Sequence, residues 1–306
     1  MSPEVVVPLL AAAVQSGTPV LYATLGEIVT ERSGILNLGV EGIMLVGALA
    51  AFLTAKWTGS PGLGFLAGGF FGAMLAGLHG LVCLGFYGNQ VVSGLALTIL
   101  GTGLANYLGT PFVGQSAPGF DVLAIPLLER IPLLGPVLFR HDPLVYGSYL
   151  VAPLLWIIMA YTRWGLGLRA TGENPEAALA AGLRIAAYRW AAVLAGGWLI
   201  GFGGAYLSLA YTHLWTNGLS AGRGWIAVAL VIFAFWQPWR AMLGAYLFGG
   251  VMAFQFRLQA TGTHLPSSLL LMLPYALTIA VLVFSSWRER GNEAPAGLGV
   301  NLEPAD

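Results

Sequence analysis

Charge is what this sequence has least of: 8% of its 306 residues are Asp, Glu, Lys or Arg, against about a quarter in an ordinary water-soluble domain. Water is thereby excluded as its main solvent, because a soluble exterior needs polar side chains to prevent association. The 13 basic and 13 acidic residues cancel, so no basic field draws nucleic acid and no acidic block marks a charged client. Cysteine is nearly absent. The one thiol, Cys83, excludes an internal disulfide and a multi-thiolate metal site, and its apolar, glycine-rich surroundings point to packing. The one lysine, Lys56, is followed by Trp57, and no G-x-x-x-x-G-K-[ST] run occurs, so the chain has no P-loop with which to hydrolyse ATP. His79, His141, His213 and His264 are scattered over different segments, without an H-E-x-x-H or G-x-S-x-G pattern to support intramembrane catalysis. The stretch GLGLRA from Gly165 fits G-x-G-x-x-A, but no strand precedes it and apolar runs surround it, which excludes a dinucleotide site. No cofactor and no metal are expected. Residues 1–10 hold Glu4 and no basic side chain, unlike a cleaved secretory signal, so the first apolar segment is expected to be retained.

What is present is apolar length: 57% of the chain is hydrophobic. Crossing the hydrocarbon takes about 20 apolar helical residues, and charge, proline and glycine punctuation marks off about nine such stretches, at 5–29, 40–56, 62–86, 90–112, 143–163, 187–211, 222–236, 241–256 and 266–287. The expected fold is all-α, a polytopic transmembrane bundle of about eight to ten helices. The segments at 40–56, 222–236 and 241–256 are short, and at least one broken or re-entrant helix is expected. The bundle is read as one domain, 1–290, with a flexible tail at 291–306 that is rich in Gly and Pro. If every segment crosses, Arg32, Arg163, Arg169, Arg184, Arg189, Arg240, Arg288 and Arg290 share one side, and Lys56, Arg130, Arg140, Arg223 and Arg257 the other. The first group should face the cytoplasm, which places the C-terminus there in a multi-pass protein of the cell membrane. Trp57, Trp164, Trp190, Trp215, Trp225, Trp236, Trp239 and Trp287 fall near segment ends, either as headgroup-level anchors or as ordinary core residues. Gly64, Gly68, Gly72, Ala76 and Gly80 recur every fourth residue and so share one helix face on which another backbone can approach closely, and Gly197, Gly201 and Ala205 repeat the pattern. Residues 113–142 hold four prolines, Pro118, Pro126, Pro132 and Pro136, and read as a long external loop with a short interfacial turn.

Two segments carry functional signals. The first, residues 163–189, is the most charged part of the chain and must lie in the aqueous phase. Within it Asn174 suits an N-cap, Pro175 the first helical position, Glu176 the positive helix end, and Gly182 a left-handed stop. These signals define a helix of about seven residues, too short to persist without a surface to pack on. The second, GEIVTERSGILNLGVEG at residues 26–42, sets Glu27, Glu31, Arg32, Asn37 and Glu41 beside apolar runs. It reads either as a cytoplasmic turn with a solvated Glu31–Arg32 pair, or as a broken helix in which Gly34, Gly39 and Gly42 permit irregular backbone around a water-filled cavity. In the second case Asn37 and Glu41 are candidates to bond a polar solute.

Together, ERSGILNLGVEGIM from Glu31 and LRATGENPEAALAAG from Leu168 resemble the permease family that serves branched-chain amino acids, ribose and nucleosides, and its simple-sugar and nucleoside branch in particular. The resemblance covers nearly the whole chain. It implies one half of an ABC importer's pathway, paired with a second, homologous or identical permease, a cytoplasmic ATPase and an extracytoplasmic solute-binding protein, often a lipoprotein. It implies that Asn37 and Glu41, with Gly34 and Gly39, border the pathway, and that the spacing Glu176, Ala177, Ala178 and Gly182 marks the coupling helix that docks on the ATPase. One departure stands: familiar versions of the motif continue into Ile-x-Leu-Pro, and Leu183 to Trp190 does not. The rival reading, a self-sufficient secondary transporter or channel, calls for buried carboxylates on central helices to bind a coupling ion, and past residue 42 the expected helices hold almost none.

Overall fold

The structure, a computed structural model, describes residues 3–262, 266–288 and 294–301. His264, Arg290 and the tail positions 291–293 and 302–306 lie outside the described residues. Among the described residues thirteen α-helices follow one another: α1 (Pro3–Arg32), α2 (Val40–Thr58), α3 (Pro61–Gly80), α4 (Gln90–Gly109), α5 (Leu134–Leu138), α6 (Pro143–Tyr161), α7 (Arg163–Glu173), α8 (Pro175–Ala180), α9 (Ile185–Tyr206), α10 (Arg223–Phe233), α11 (Pro238–Ala260), α12 (Ser267–Leu271) and α13 (Leu273–Arg288). Single π turns extend α3 to Gly85 and α9 to Tyr211. Seven of these helices, α1 to α4, α6, α9 and α11, are long and apolar enough to cross a membrane. The remaining two expected crossings are interrupted. The helix α10 has only 11 residues, and α12 and α13 are separated at Met272.

Local chemistry places the boundaries. Ser60, Asn89, Asp142, Thr162 and Asn174 each accept a hydrogen bond from a backbone N–H one turn on, so α3, α4, α6, α7 and α8 all start on a side-chain cap. Proline follows Ser60, Asp142 and Asn174 at the first helical position, where its missing N–H costs nothing.

The core lies where α1, α2, α3 and α9 meet, around Leu21, Leu25, Ile28, Ile43, Met44 and Phe52, all fully buried. Small residues let these helices touch backbone to backbone. A methyl group added at Gly72 would lie 2.5 Å from the carbonyl oxygen of Gly197 and 2.7 Å from Cα of Gly201, one at Gly68 2.7 Å from Cβ of Ala205, and one at Gly64 2.7 Å from the carbonyl oxygen of Ala51. Gly80 meets the Trp190 ring at 3.0 Å. Hydrophobicity alone gives helices no reason to associate in lipid, so this close van der Waals fit is what holds α3 on α9.

The 113–142 loop folds into a two-stranded antiparallel ribbon, β1 (Leu123–Ala124) and β2 (Arg140–His141), plus α5. Residues 294–301 of the tail form a turn seated on the bundle. Gly297 N–H donates to Gly172 O (2.8 Å), Gly299 N–H to Gly34 O (3.1 Å), and the Asn301 amide to Tyr87 O (2.7 Å) and Gly88 O (2.9 Å). Backbone donors and acceptors satisfy this segment, which its composition, poor in apolar side chains, does not reveal.

Candidate substrate pathway and coupling face

After Arg32 the chain does not turn back at once. Residues 33–39 run irregularly into the bundle before α2 begins, with Gly34 at φ +92°. Their neighbours on α4 set the depth: Gly94 meets Leu38, and Gly101 meets Gly42. Gly101 is eleven residues beyond the start of α4 at Gln90, about 16 Å along the axis at 1.5 Å per residue, or half of a roughly 30 Å hydrocarbon core. The chain therefore re-enters the bundle, and α2 starts inside it, with Gly39 against Leu97 of α4. Of the two readings of this stretch, the structure takes the broken one. Glu31 is buried and accepts from Trp236 Nε1, while Arg32 pairs with Glu173 at 3.5 Å rather than with Glu31.

A second broken crossing meets it. From Thr212 to Gly222 the chain is non-helical, and α10 then covers only about 16 Å before ending at Ala234. The start of α10 lies against the start of α2: a methyl group at Gly224 would be 2.5 Å from Glu41 Cα. Glu41, 8% exposed, is the connection. Its carboxylate accepts from Ser220 Oγ, from Gly222 N (2.9 Å) and from Gly224 N (2.7 Å). A carboxylate in the first turn of one helix thus caps the N-terminus of another, satisfying orphan N–H groups and facing the positive end of the α10 dipole. Gly218 and Gly222, at φ +68° and +80°, give the approaching segment its curvature.

Asn37 is 1% exposed. Its Oδ1 accepts from Gly39 N (2.9 Å), closing a tight turn, and its own N–H donates to Glu27 Oε1 (3.1 Å). Asn37, Gly39 and Glu41 are thus brought together at one level, and Gly34 is placed at the mouth of the same irregular stretch, under the tail. Arg223, grouped from sequence with Lys56, Arg130, Arg140 and Arg257, is the first residue of α10; it is buried at the broken junction, donates to Ser220 O (3.2 Å) and stands 5.4 Å over the Tyr211 ring. The signal for it was an arginine between two glycines inside a short apolar segment.

The other candidate residues lie at the end of the bundle shared by Arg32, the 86–89 turn and the tail. In α8 Asn174 Oδ1 accepts from Ala177 N (2.9 Å), and Gly182, at φ +81°, ends the helix with Leu183 N–H returning to Ala178 O (3.0 Å). Ala178 is buried against its own chain, whereas Glu176, Ala177 and Leu179 face outward, Leu179 at 64% exposure. The outward apolar side chain of this short helix was not singled out from sequence. Trp215 and Trp236 are buried, so these two are core residues, while Trp57 and Trp239 are exposed at helix ends.

A model of the family described as branched-chain amino acid transport system / permease component matches residues 9–282. The chain is 42% identical over 299 residues to a protein of Haloferax volcanii named "Putative glucose ABC transporter permease protein", covering 90% of this chain and 91% of that one. It is 37% identical over 278 residues to a nucleoside ABC transporter permease protein of Lactococcus lactis (87% and 88% covered), and 30% identical over 290 residues to a guanosine ABC transporter permease protein of Bacillus subtilis (90% of each). No solved structure matches.

Proposed function

Because the chain belongs to the family of branched-chain amino acid transport system permease components, we propose that it forms half of the translocation pathway for a nucleoside or simple sugar, drawing its energy from a separate cytoplasmic ATPase. The observation that carries this reading is the meeting of two broken crossings at Glu41, inside the bundle. Membranes tolerate interrupted backbone only where protein or an aqueous path surrounds it, and transporters place their solutes at such junctions. Asn37, Glu41, Gly34 and Gly39 border that path as positioning residues: their polar groups fix the broken segments whose backbone faces the solute.

The charge arrangement favours an uncharged solute. Glu41 is saturated by three donors, and Arg223 is held by Ser220 O and the Tyr211 ring. An amino acid would require counter-groups for both its ammonium and its carboxylate, each costly to leave unpaired at this depth. A nucleoside or sugar requires only hydroxyl and amide partners, which agrees with the names of the relatives.

The 163–189 loop is the coupling element within a single permease domain, 1–290. Glu176, Ala177 and Leu179 offer the ATPase its contact, while Ala178 and Gly182 set the seat and exit of α8 on the bundle. The arginines at this end support a cytoplasmic location for it and for the tail. A second permease, identical or homologous, completes the pathway, and an extracytoplasmic binding protein delivers the solute. A binding panel on the cognate binding protein tests the solute class. Nucleosides or sugars should bind and leucine should not; selective binding of a branched-chain amino acid would overturn the assignment.

A further inference from the structure

A cavity of about 150 Å³ opens where α1 ends, lined by Arg32, Trp156, Arg169, Trp236 and Gln237. Two guanidiniums converge on it, close enough to repel each other. Arg32 is tethered to Glu173 and to the carbonyls of Phe235 and Trp236. Arg169 has no carboxylate within ion-pair reach among the described residues, and its buried Nε has no hydrogen-bond partner. Gln237 has its acceptor oxygen occupied by Trp239 Nε1 (2.8 Å), which leaves its amide donors for the cavity. A compact space walled by two guanidiniums and an amide, with an unsatisfied buried donor, is complementary to an oxyanion.

We propose that this cavity binds the phosphate of an anionic phospholipid headgroup at the cytoplasmic face. The lipid source follows from continuity with the outer wall. Trp156, 38% exposed, lines the cavity and packs edge-on against Tyr161 (ring centroids 5.4 Å), which shares an outward face of α6 with Leu150, Leu154 and Ile157; Leu150, Leu154, Ile157 and Tyr161 are exposed by 71%, 54%, 46% and 72%. Acyl chains lying along that face bring a headgroup to the last turn of α6, where Trp156, Met159 and Ala160 line the cavity together with Arg169 and where tryptophan and arginine jointly suit the interface. The bidentate fork of Arg169 recognises a phosphate better than a point charge would. The coupling surface of α8 lies on other residues, so the site is independent of ATPase docking and of the solute carried.

The test uses the full-length protein in phosphatidylcholine nanodiscs, with the unfolding midpoint followed as phosphatidylglycerol, additional phosphatidylcholine or inorganic phosphate is added. Phosphatidylglycerol should raise the midpoint saturably and the other two should not. Arg169→Gln should weaken the phosphatidylglycerol response roughly tenfold, the loss of one charge-assisted hydrogen bond. Arg169→Lys should fall between Gln and wild type and guards against a folding defect in the first variant. Arg140→Gln, the same charge change in the 113–142 loop, should keep the full response. An unchanged phosphatidylglycerol response in Arg169→Gln and Arg169→Lys overturns the site. An equal response to inorganic phosphate assigns the cavity to a free anion and overturns the lipid. Loss of ATPase association in Arg169→Gln, with the lipid response intact, assigns it to a partner carboxylate and overturns it equally.

Discussion

Replacing Glu41 by glutamine changes one atom, and the geometry says which bond is lost. Oε1 receives Ser220 Oγ–H and Gly222 N–H, and Oε2 receives Gly224 N–H at 2.7 Å. Glutamine keeps one acceptor but turns an NH2 group towards a backbone donor and removes the charge that favours the remaining bonds. One charge-assisted bond and one newly unsatisfied buried donor together cost about 3 kcal/mol, a large share of a typical stability of about 5–15 kcal/mol. Ser220→Ala leaves both backbone donors in place and should cost about 1 kcal/mol. The two residues share one carboxylate, so their effects should not add. The double variant should be more stable than the sum of the singles by about 1 kcal/mol. Denaturation of the detergent-purified protein gives the energies, and initial uptake rates at matched amounts of assembled complex give the function. Uptake should fall in the order wild type, Ser220→Ala, Glu41→Gln, because α10 loses its anchor on α2. Strict additivity, or wild-type stability and uptake in Glu41→Gln, would refute the claim that Glu41 joins the two broken crossings.

Asn37→Leu removes the acceptor that closes the turn onto Gly39 and should lower the maximal uptake rate without lowering the amount of complex, measured by uptake normalised to immunoblot. Leu179→Arg, placed outward on α8, should leave the permease folded but weaken ATPase co-purification and abolish solute-stimulated hydrolysis, whereas the exposed loop variant Asp121→Asn should change neither. Gly72→Val would force the α3–α9 backbones apart and should lower the unfolding midpoint more than Gly103→Val, at a position with nothing within 4 Å. Asn301→Ala removes two side-chain bonds to the 86–89 turn and should speed hydrogen exchange at residues 33–39 and 86–89 while leaving α2 protected, read by mass spectrometry.

The long crossings were legible because spans of this length need apolar runs, and charge, proline and glycine punctuate them. The small α8 was legible because Asn174, Pro175 and Gly182 act locally. The glycine stripe of α3 was visible as a face, while its partner on α9 was visible only as a similar stripe, because periodicity says which side is small and not what it meets. Less could be read of the functional junction. Glu41 stood out as a costly carboxylate, but its donors lie about 180 residues away and no local pattern links Ser220 to it. The burial of Arg223 was not legible, because a charge near a segment end looks the same whether it faces solvent or a broken junction. The seating of residues 294–301 relies on backbone groups and one asparagine, which composition counts as loop.

The central claim, that this chain is an ATP-driven permease subunit for an uncharged nucleoside or sugar, is tested most directly in proteoliposomes holding the permease, its permease partner and the co-purified ATPase. With the solute-binding protein loaded, ATP inside or outside as orientation requires, the account predicts solute accumulation that tracks ATP hydrolysis and stops when the ATPase is omitted. Accumulation by the permease alone, driven by a proton or sodium gradient and indifferent to ATP, would contradict it.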